Sequence, residues 1–533
     1  MQTETSSVKK RVPALGASAV IAFAMLISRI TGLLRETVVA HFFGASYVAD
    51  AFRGAFRIPN MLNNLFGEGV LSASFITVYA RLRALGKDDE ARQVSAVVFG
   101  TLALLCSLLV FAGILLAPFL TDVIVPGFQG RERALTVQII RILFPGTGFL
   151  VLGAWCLGVL NSHRSFLLPY VAPVAANLIM VAALFAFHRG ASQEELILKL
   201  SWAFVLGSAA QFLIQVPKVL RLLPRFRPSL RINSPDGRTV INNFVPIFLS
   251  RGVVQISAYV DQMIASWLPQ GAVAQLGYGQ VISLLPISLF SMSVSAAELP
   301  ALSSATGTAE EVASTLRNRL SNGLRRIAFF TIPSAVAFLL LGDVIAGAIY
   351  QSGRFTHTDS LYVWAVLAGS SIGLLASSLG RLYSSGFYAL LDSRTPLRFA
   401  IIRIALTTCL GFLFALELPK WLGIDPQLGV AGLTASAGIA GWVEFVLLRR
   451  ALNGRIGKTG IPAEFLVRLW PSAFVSGAVA YFSKSYFAPG HPRIQAALVL
   501  PLFGLLYFGG THLLGVEEAK HLTGRVLRQL RRG

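Results

Sequence analysis

The sequence predicts an all-α polytopic membrane protein, a bundle of about fourteen transmembrane helices. Three observations predict it. First, 54% of the 533 residues are hydrophobic and only 13% are charged, where a soluble domain carries about a quarter charged. Second, nearly charge-free runs recur at spanning length, at 97–121, 166–187, 469–483 with its flanks, and 494–511. A helix needs roughly 20 apolar residues to cross the hydrocarbon core. Third, basic residues crowd alternate connections between those runs. Only helices and closed barrels satisfy their backbone in lipid, and the period-two alternation of a barrel is absent from the sequence.

In chain order, the hydrophobic runs predict helices at 14–43, 47–80, 94–121, 133–161, 166–188, 196–220, 240–268, 272–302, 325–350, 358–388, 396–418, 427–450, 464–487 and 494–515. The first follows Lys9, Lys10 and Arg11 as a signal peptide would. Arg29 and Arg35 come immediately after its apolar stretch without a cleavage site, so it reads as an uncleaved helix. Pro59, Pro145, Pro246, Pro286, Pro300 and Pro333 lie within expected spans and predict kinks. Most of these are packing features, tolerated where a helix faces protein or water. Cys106, Cys156 and Cys409 sit in apolar segments and read as small core residues.

The net charge of +21 would suit nucleic acid, but its placement has a topological cause. One set of connections holds Arg81, Arg83, Lys87 and Arg92, then His163 and Arg164, then Lys218, Arg221, Arg225, Arg227, Arg231 and Arg238. It continues through Arg317, Arg319, Arg325 and Arg326, Arg394 and Arg398, Arg449, Arg450, Arg455 and Lys458, to Arg528, Arg531 and Arg532 in the tail. The intervening loops are short or mixed in sign. This is the positive-inside pattern, and it predicts a multi-pass membrane protein with both termini cytoplasmic. Nucleic acid is not an expected partner; membrane lipids are. Asp88, Asp89 and Glu90, in one basic loop, read as solvated surface.

The longest polar connection, 221–239, divides the chain into an expected N-lobe of six helices (1–220) and a C-lobe of six (240–452). A terminal pair of helices with a basic tail (453–533) follows. A weak echo pairs Phe66 with Phe290, Leu160-Asn161-Ser162 with Leu391-Asp392-Ser393, and Val125-Pro126-Gly127-Phe128 with Gln351-Ser352-Gly353-Arg354-Phe355. The offset of roughly 225–230 residues fits a parallel repeat. Transporters built this way hold substrate between the halves, near the midplane.

The chemistry concentrates in the first two helices. Arg29 and Arg35 are separated by about 9 Å of helical rise. On the second helix Asp50, Arg53, Arg57, Asn60, Asn64 and Glu68 recur at steps of three or four, one polar stripe about 27 Å long. A charge at the bilayer centre costs at least ~2.5–3.5 kcal/mol, so the stripe must face water or paired charge. Two readings stay open. Either Asp50 and Glu68 pair with the arginines to lock helices together, or a cationic surplus receives an anion. Arg29, Arg35, Arg53 and Arg57 outnumber Glu36, Asp50 and Glu68, and guanidinium suits phosphate through its planar, bidentate fork. Arg141 and Arg251 are candidates to add to that surplus.

These residues also carry a resemblance. The stretch Ser28-Arg29-Ile30-Thr31-Gly32-Leu33-Leu34-Arg35-Glu36 is followed by His41-Phe42-Phe43-Gly44-Ala45, Ala49-Asp50-Ala51-Phe52, Arg57-Ile58-Pro59-Asn60 and Phe66-Gly67-Glu68-Gly69. Together they resemble the N-terminal signature of the MurJ/MviN family of lipid II flippases. Pro126-Gly127-Phe128, Gln351-Ser352-Gly353-Arg354-Phe355 and Thr395-Pro396 extend the match. The resemblance implies a MOP-superfamily, MATE-like exporter fold and transfer of an undecaprenyl-pyrophosphate-linked peptidoglycan precursor to the outer leaflet of the bacterial inner membrane by alternating access. It implies that Arg29 and Arg35 hold the pyrophosphate-sugar head group, that Asp50 and Glu68 are required acids, and that the last two helices guide the polyprenyl tail.

The sequence departs from that family twice: Asn63 and Gln280 stand where it carries arginine. Arg53 and Arg251 are available cations but align with neither position. The substrate-binding set is therefore Arg29, Arg35, Arg53, Arg57, Asp50, Glu68, Asn63, Asn64, Arg251 and Gln280. Asp261 resembles a position that binds sodium in some members, with Thr407 and Thr408 as its expected helpers, and Glu298 is a candidate to carry a coupling proton. The bland alternatives are a hydrogen-bonded Asp and a paired Glu. No cofactor is expected, and no Gly-rich phosphate loop with Lys-Ser/Thr appears, so ions or voltage would drive transport. The chain is expected to be a monomer and not an enzyme, with cell-wall synthesis or division proteins as candidate partners. A flippase for another polyprenyl-linked glycan, and a MATE-like ion-coupled exporter, are the rival functions.

Overall fold

The structure is a computed structural model that describes residues 14–66, 71, 75–230, 259–295, 298, 308–487 and 490–520, with side chains from residue 23 onward. Every regular element among the described residues is helical. Eleven of these helices are long and apolar enough to cross a membrane, and they correspond to the third to sixth and eighth to fourteenth of those expected. The first is helix Ala14–Phe43, and the second begins as helix Tyr47–Asn63, with Pro59 inside it. The seventh falls mostly outside the described residues and is helical at 259–265. Large apolar side chains such as Phe111, Phe482 and Leu505 are exposed, as expected where the solvent is lipid.

Four expectations need correction. Asp88, Asp89 and Glu90 are not in a loop: they form the first turn of helix Asp88–Leu115. There carboxylates complement the helix dipole and pair with local bases, Arg92 to Asp89 at 2.6 Å and Lys87 to Glu90 at 3.1 Å. The ninth helix does not start near 325. It spans Ala309–Tyr350, opened by a reciprocal capping box between Thr308 and Glu311, so Arg317, Arg319, Arg325 and Arg326 ride on helix. Polarity marked that segment as a loop, but two orphan backbone donors satisfied at once are enough to start a helix there. Cys409 is exposed rather than core, whereas Cys106 and Cys156 are buried. Finally, two spans are not uniformly α-helical. Helix Ala272–Pro286 passes into a π-helical turn at Ile287–Ser291, and helix Arg394–Phe412 into another at Leu413–Glu417.

The chain forms two compact units. The first comprises Met1–Val39, Gly54–Thr121 and Gly130–Ile256. Its core includes Phe66, Phe75, Tyr79, Trp155 and Leu160. The second comprises Ala40–Arg53, Asp122–Gln129 and Ser257–Gly533. Its core runs through Leu320, Phe329, Leu382, Phe387, Leu452 and Tyr507. Helices His357–Ala389 and Gly429–Ile456 meet there through small residues: a Cβ on Gly373 would strike the Gly438 backbone, and one on Gly438 would strike that of Gly373. In lipid such close backbone approach supplies the packing that hydrophobicity cannot.

Candidate functional site

The polar residues of the first two helices divide between the two units. In the first unit, Arg35 is gripped from two sides. Its Nη2 donates to Glu36 Oε1 at 2.6 Å and its Nη1 to Asn177 Oδ1 at 3.1 Å. Asn177, from helix Leu167–Phe187, is buried. It donates in turn to Thr31 Oγ1 at 3.2 Å, whose own hydroxyl donates back to Ile27 and Ser28 carbonyls. The Arg35 guanidinium also lies 5.4 Å from the Phe56 ring centre. Sequence reasoning missed Asn177, although a lone amide in the apolar run 166–187 was the available signal.

Arg29 behaves differently. A separation of six residues turns it about 120° from Arg35 around the helix axis, away from the Asn177 contact. It is exposed and makes no ion pair among the described residues. Arg57 is half-buried, Asn63 half-buried, and Asn60 and Asn64 exposed. Arg141 is exposed on its own helix. Glu68 and Arg251 lie outside the described residues.

In the second unit Asp50 is held by backbone amides rather than by an arginine. Its carboxylate caps the N-terminus of helix Ala272–Pro286, accepting from Gly271 N–H through Oδ2 and from Ala274 N–H through Oδ1 at 2.6 Å. Asp50 is 1% exposed; a buried acid is tolerated there because orphan amides and the positive end of a helix dipole meet it. Arg53, one turn on, lies with its guanidinium 4.5 Å from the Tyr278 ring centre. Tyr278 donates its hydroxyl to Gly44 O at 3.2 Å and packs against Tyr350 and Phe355. Gly44, at φ +60°, abuts the Arg354 carbonyl, and Arg354 N–H donates to His41 O at 2.9 Å. Shortly before Gly271 in the chain, Ser266 accepts through its Oγ from Gly127 N–H at 2.9 Å. Motifs far apart in the chain thus build one clasp.

The candidate ion-coupling residues are partly drawn together. Ile264 is the side chain that a Cβ on Gly411 would meet, which brings the helical end at 259–265 against helix Arg394–Phe412. Asp261 and Thr407 lie about one turn before those two contacts. Asp261 is half-buried and Thr407 buried, while Thr408 donates its hydroxyl to Ile404 O at 2.8 Å. No group of three or more His, Cys, Asp or Glu able to hold a metal occurs among the described residues. Glu298 pairs with Arg319 at 3.6 Å, the paired alternative of the sequence reading. Gln280 is half-buried, and its carbonyl accepts from Ser283.

The sequence profile of a family described as "Lipid II flippase MurJ" matches residues 39–499. The chain belongs to the MurJ family. Among curated MurJ proteins, the lipid II flippase of Burkholderia cenocepacia is 31% identical over 509 residues, covering 93% of this chain and 96% of that protein. A probable lipid II flippase of Rhizobium tropici is 30% identical over 532 residues, covering 96% and 95%. Among solved structures, a MurJ in an inward closed conformation superposes with a TM-score of 0.77 at 22% identity, over 93% of this chain and 98% of that one. An inward-facing multidrug resistance MATE transporter of the MOP superfamily superposes at 0.63 with 15% identity, over 82% and 98%. These likenesses establish the MurJ and MOP-superfamily fold of this multi-pass membrane protein.

Proposed function

We propose that this MurJ-family protein moves lipid II, the polyprenyl-pyrophosphate-linked peptidoglycan precursor, between bilayer leaflets by alternating access. Family membership over residues 39–499 carries the reading. The chemistry of Arg29 and Arg35 agrees with it. One guanidinium is held rigid by Glu36 and Asn177, and the other is exposed with no ion pair among the described residues, so it can answer to an incoming phosphate. Arg53 and Arg57 on the second helix are further cations for the head group. In this reading both termini are cytoplasmic, the protein acts as a monomer without a catalytic step, and the membrane is the bacterial inner membrane.

Coupling to sodium at Asp261, with Thr407 and Thr408 as oxygen donors, is part of the proposal. Hard cations want several oxygens, and the packing of Ile264 at Gly411 supports a shared level for them. A proton on Glu298 is the weaker alternative, because Arg319 stands beside it. Asn63 and Gln280, where arginines would be expected, favour one second reading: another polyprenyl-linked glycan as cargo.

Complementation decides between them. Expressed in a strain depleted of its lipid II flippase, the chain restores growth and lipid II translocation, and Arg29→Ala abolishes the rescue at equal membrane abundance. No rescue by the wild-type chain overturns lipid II as the cargo.

A further inference from the structure

A second cationic cluster lies in the second unit, on helices that carry none of the residues discussed above for the head group. Helices His357–Ala389 and Gly429–Ile456 pack closely at Gly373 and Gly438, and one turn further Gly441 faces Ser377. Beyond that level the pair carries Arg381 and Glu444. Helix Arg394–Phe412 adds Arg403, whose Nη1 is 3.0 Å from Glu444 Oε2. Glu444 is 16% exposed at its side chain and Arg403 38%. Arg381 has some exposed surface, lies within electrostatic range of Arg403 and Glu444, and its guanidinium makes no ion pair or hydrogen bond among the described residues. The cluster thus sets two guanidinium groups against one carboxylate, leaving one cation in excess.

The depth of the cluster makes that excess costly. The three helices share an end, where Asp392 pairs with Arg455 at 2.7 Å. Measured from that end, Arg381, Arg403 and Glu444 lie about 12, 14 and 18 Å in along their helices. At such depth a cation persists only by reaching water, snorkelling to the interface, or meeting an anion. Two guanidinium forks beside a single carboxylate, one of them without an ion-pair partner among the described residues, supply the chemistry by which arginine receives phosphate oxygens. Glu444 neutralises at most one of the two arginines and competes with an incoming anion for Arg403.

We propose that Arg381, Arg403 and Glu444 form a second anion site, which receives a phosphate group carried on a lipid. The site is independent of Arg29 and Arg35 and stands whether or not lipid II is the cargo. Two sources share this chemistry: the phosphodiester of an anionic bilayer lipid and the pyrophosphate of a polyprenyl carrier.

The full-length chain in nanodiscs of phosphatidylcholine, doped with either phosphatidylglycerol or undecaprenyl pyrophosphate, tests it by native mass spectrometry of retained lipid. Arg381→Gln lowers retention of the recognised probe, on the order of tenfold if a close charge contact is lost, and Arg381→Lys, which keeps the charge but not the fork, recovers only part of it. Glu444→Gln raises retention, because it frees Arg403 to act on the anion. This opposite sign separates binding from a merely structural role, which both substitutions would damage alike. An effect confined to phosphatidylglycerol assigns the site to bilayer lipid; one confined to undecaprenyl pyrophosphate assigns it to a carrier. If Arg381→Gln does not fold, Glu444→Gln carries the test. Unchanged or lowered retention of both probes in Glu444→Gln overturns the site.

Discussion

Asp50 and Arg29 are both charged residues of the first two helices, yet their surroundings treat charge in opposite ways. Asp50 is sealed: its oxygens are spent on the amides of Gly271 and Ala274. Around it Gly44, Tyr278, Arg354 and His41 satisfy one another in turn. Arg29 is open, exposed on helix Ala14–Phe43 with no ion pair among the described residues. Arg35 is intermediate, anchored by Glu36 and Asn177 but still partly exposed. A polar residue in a membrane span can therefore be there to hold the protein together or to receive something else. What separates the two is whether its hydrogen-bonding capacity is already used.

That contrast can be broken most sharply at Asp50. Asp50→Ala strands buried amides at a helix N-terminus and is expected to cost about 2 kcal/mol, read as a lowered Tm of the purified chain. Asp50→Asn keeps one acceptor oxygen where two are used, so its loss should be smaller. Should Asp50→Asn abolish transport while melting like wild type, the charge itself and not the cap is what function needs. Next comes Asn177→Ala, which releases Arg35 and costs about 1 kcal/mol. Transport should fall, and its dependence on salt should rise as the freed guanidinium becomes more screened. By contrast Arg29→Ala should leave Tm within what an exposed substitution costs, about 0.5 kcal/mol, while removing rescue of a flippase-depleted strain. A destabilised Arg29→Ala would erase the distinction drawn here.

The smallest effect is set by pH. His163, in the connection after helix Gly130–Ser162, is held below its ordinary pKa by burial first and by Arg83 second, and its Nε2 lies 2.9 Å from the Tyr79 hydroxyl. A histidine whose folded pKa is depressed contributes stability that is fully present above its unfolded value of 6.5. It is lost as pH falls through the folded value. Tm should therefore decline slightly on acidification below 6.5, and His163→Gln should flatten that decline; an unchanged slope would remove His163 as its source.

Much of the architecture was legible because spanning helices announce themselves by length and apolarity. Boundaries were less so. The segment 309–324 reads as a polar loop, but Thr308 and Glu311 cap it into helix, and capping depends on four residues rather than on a window average. The polar stripe of the second helix was visible, yet its division was not: Asp50 and Arg53 serve the second unit, Arg57 the first. Periodicity says that residues share a face and does not say which neighbour that face meets. The family motifs around Gly44 and Arg354 were readable as signatures, while their joint purpose, the clasp around Asp50 and Tyr278, needed coordinates. Asn177 stood unremarked because one amide carries no pattern.

Helix Ala309–Tyr350 is 42 residues long, about 63 Å, roughly twice the thickness of the hydrocarbon layer. Set along the membrane normal, a straight helix of this length would reach some thirty ångströms beyond the hydrocarbon layer, as the arm of a lever whose fulcrum lies in the bilayer. Along that arm Arg317 grips the Ile456 carbonyl and Arg325 grips Glu517 and Glu518, so distant stretches of chain are harnessed to one rod. A tilt of a few degrees within the membrane would sweep the tip and everything tied to it by several ångströms. A spectroscopic label near Glu310 would read movements of the embedded portion already magnified.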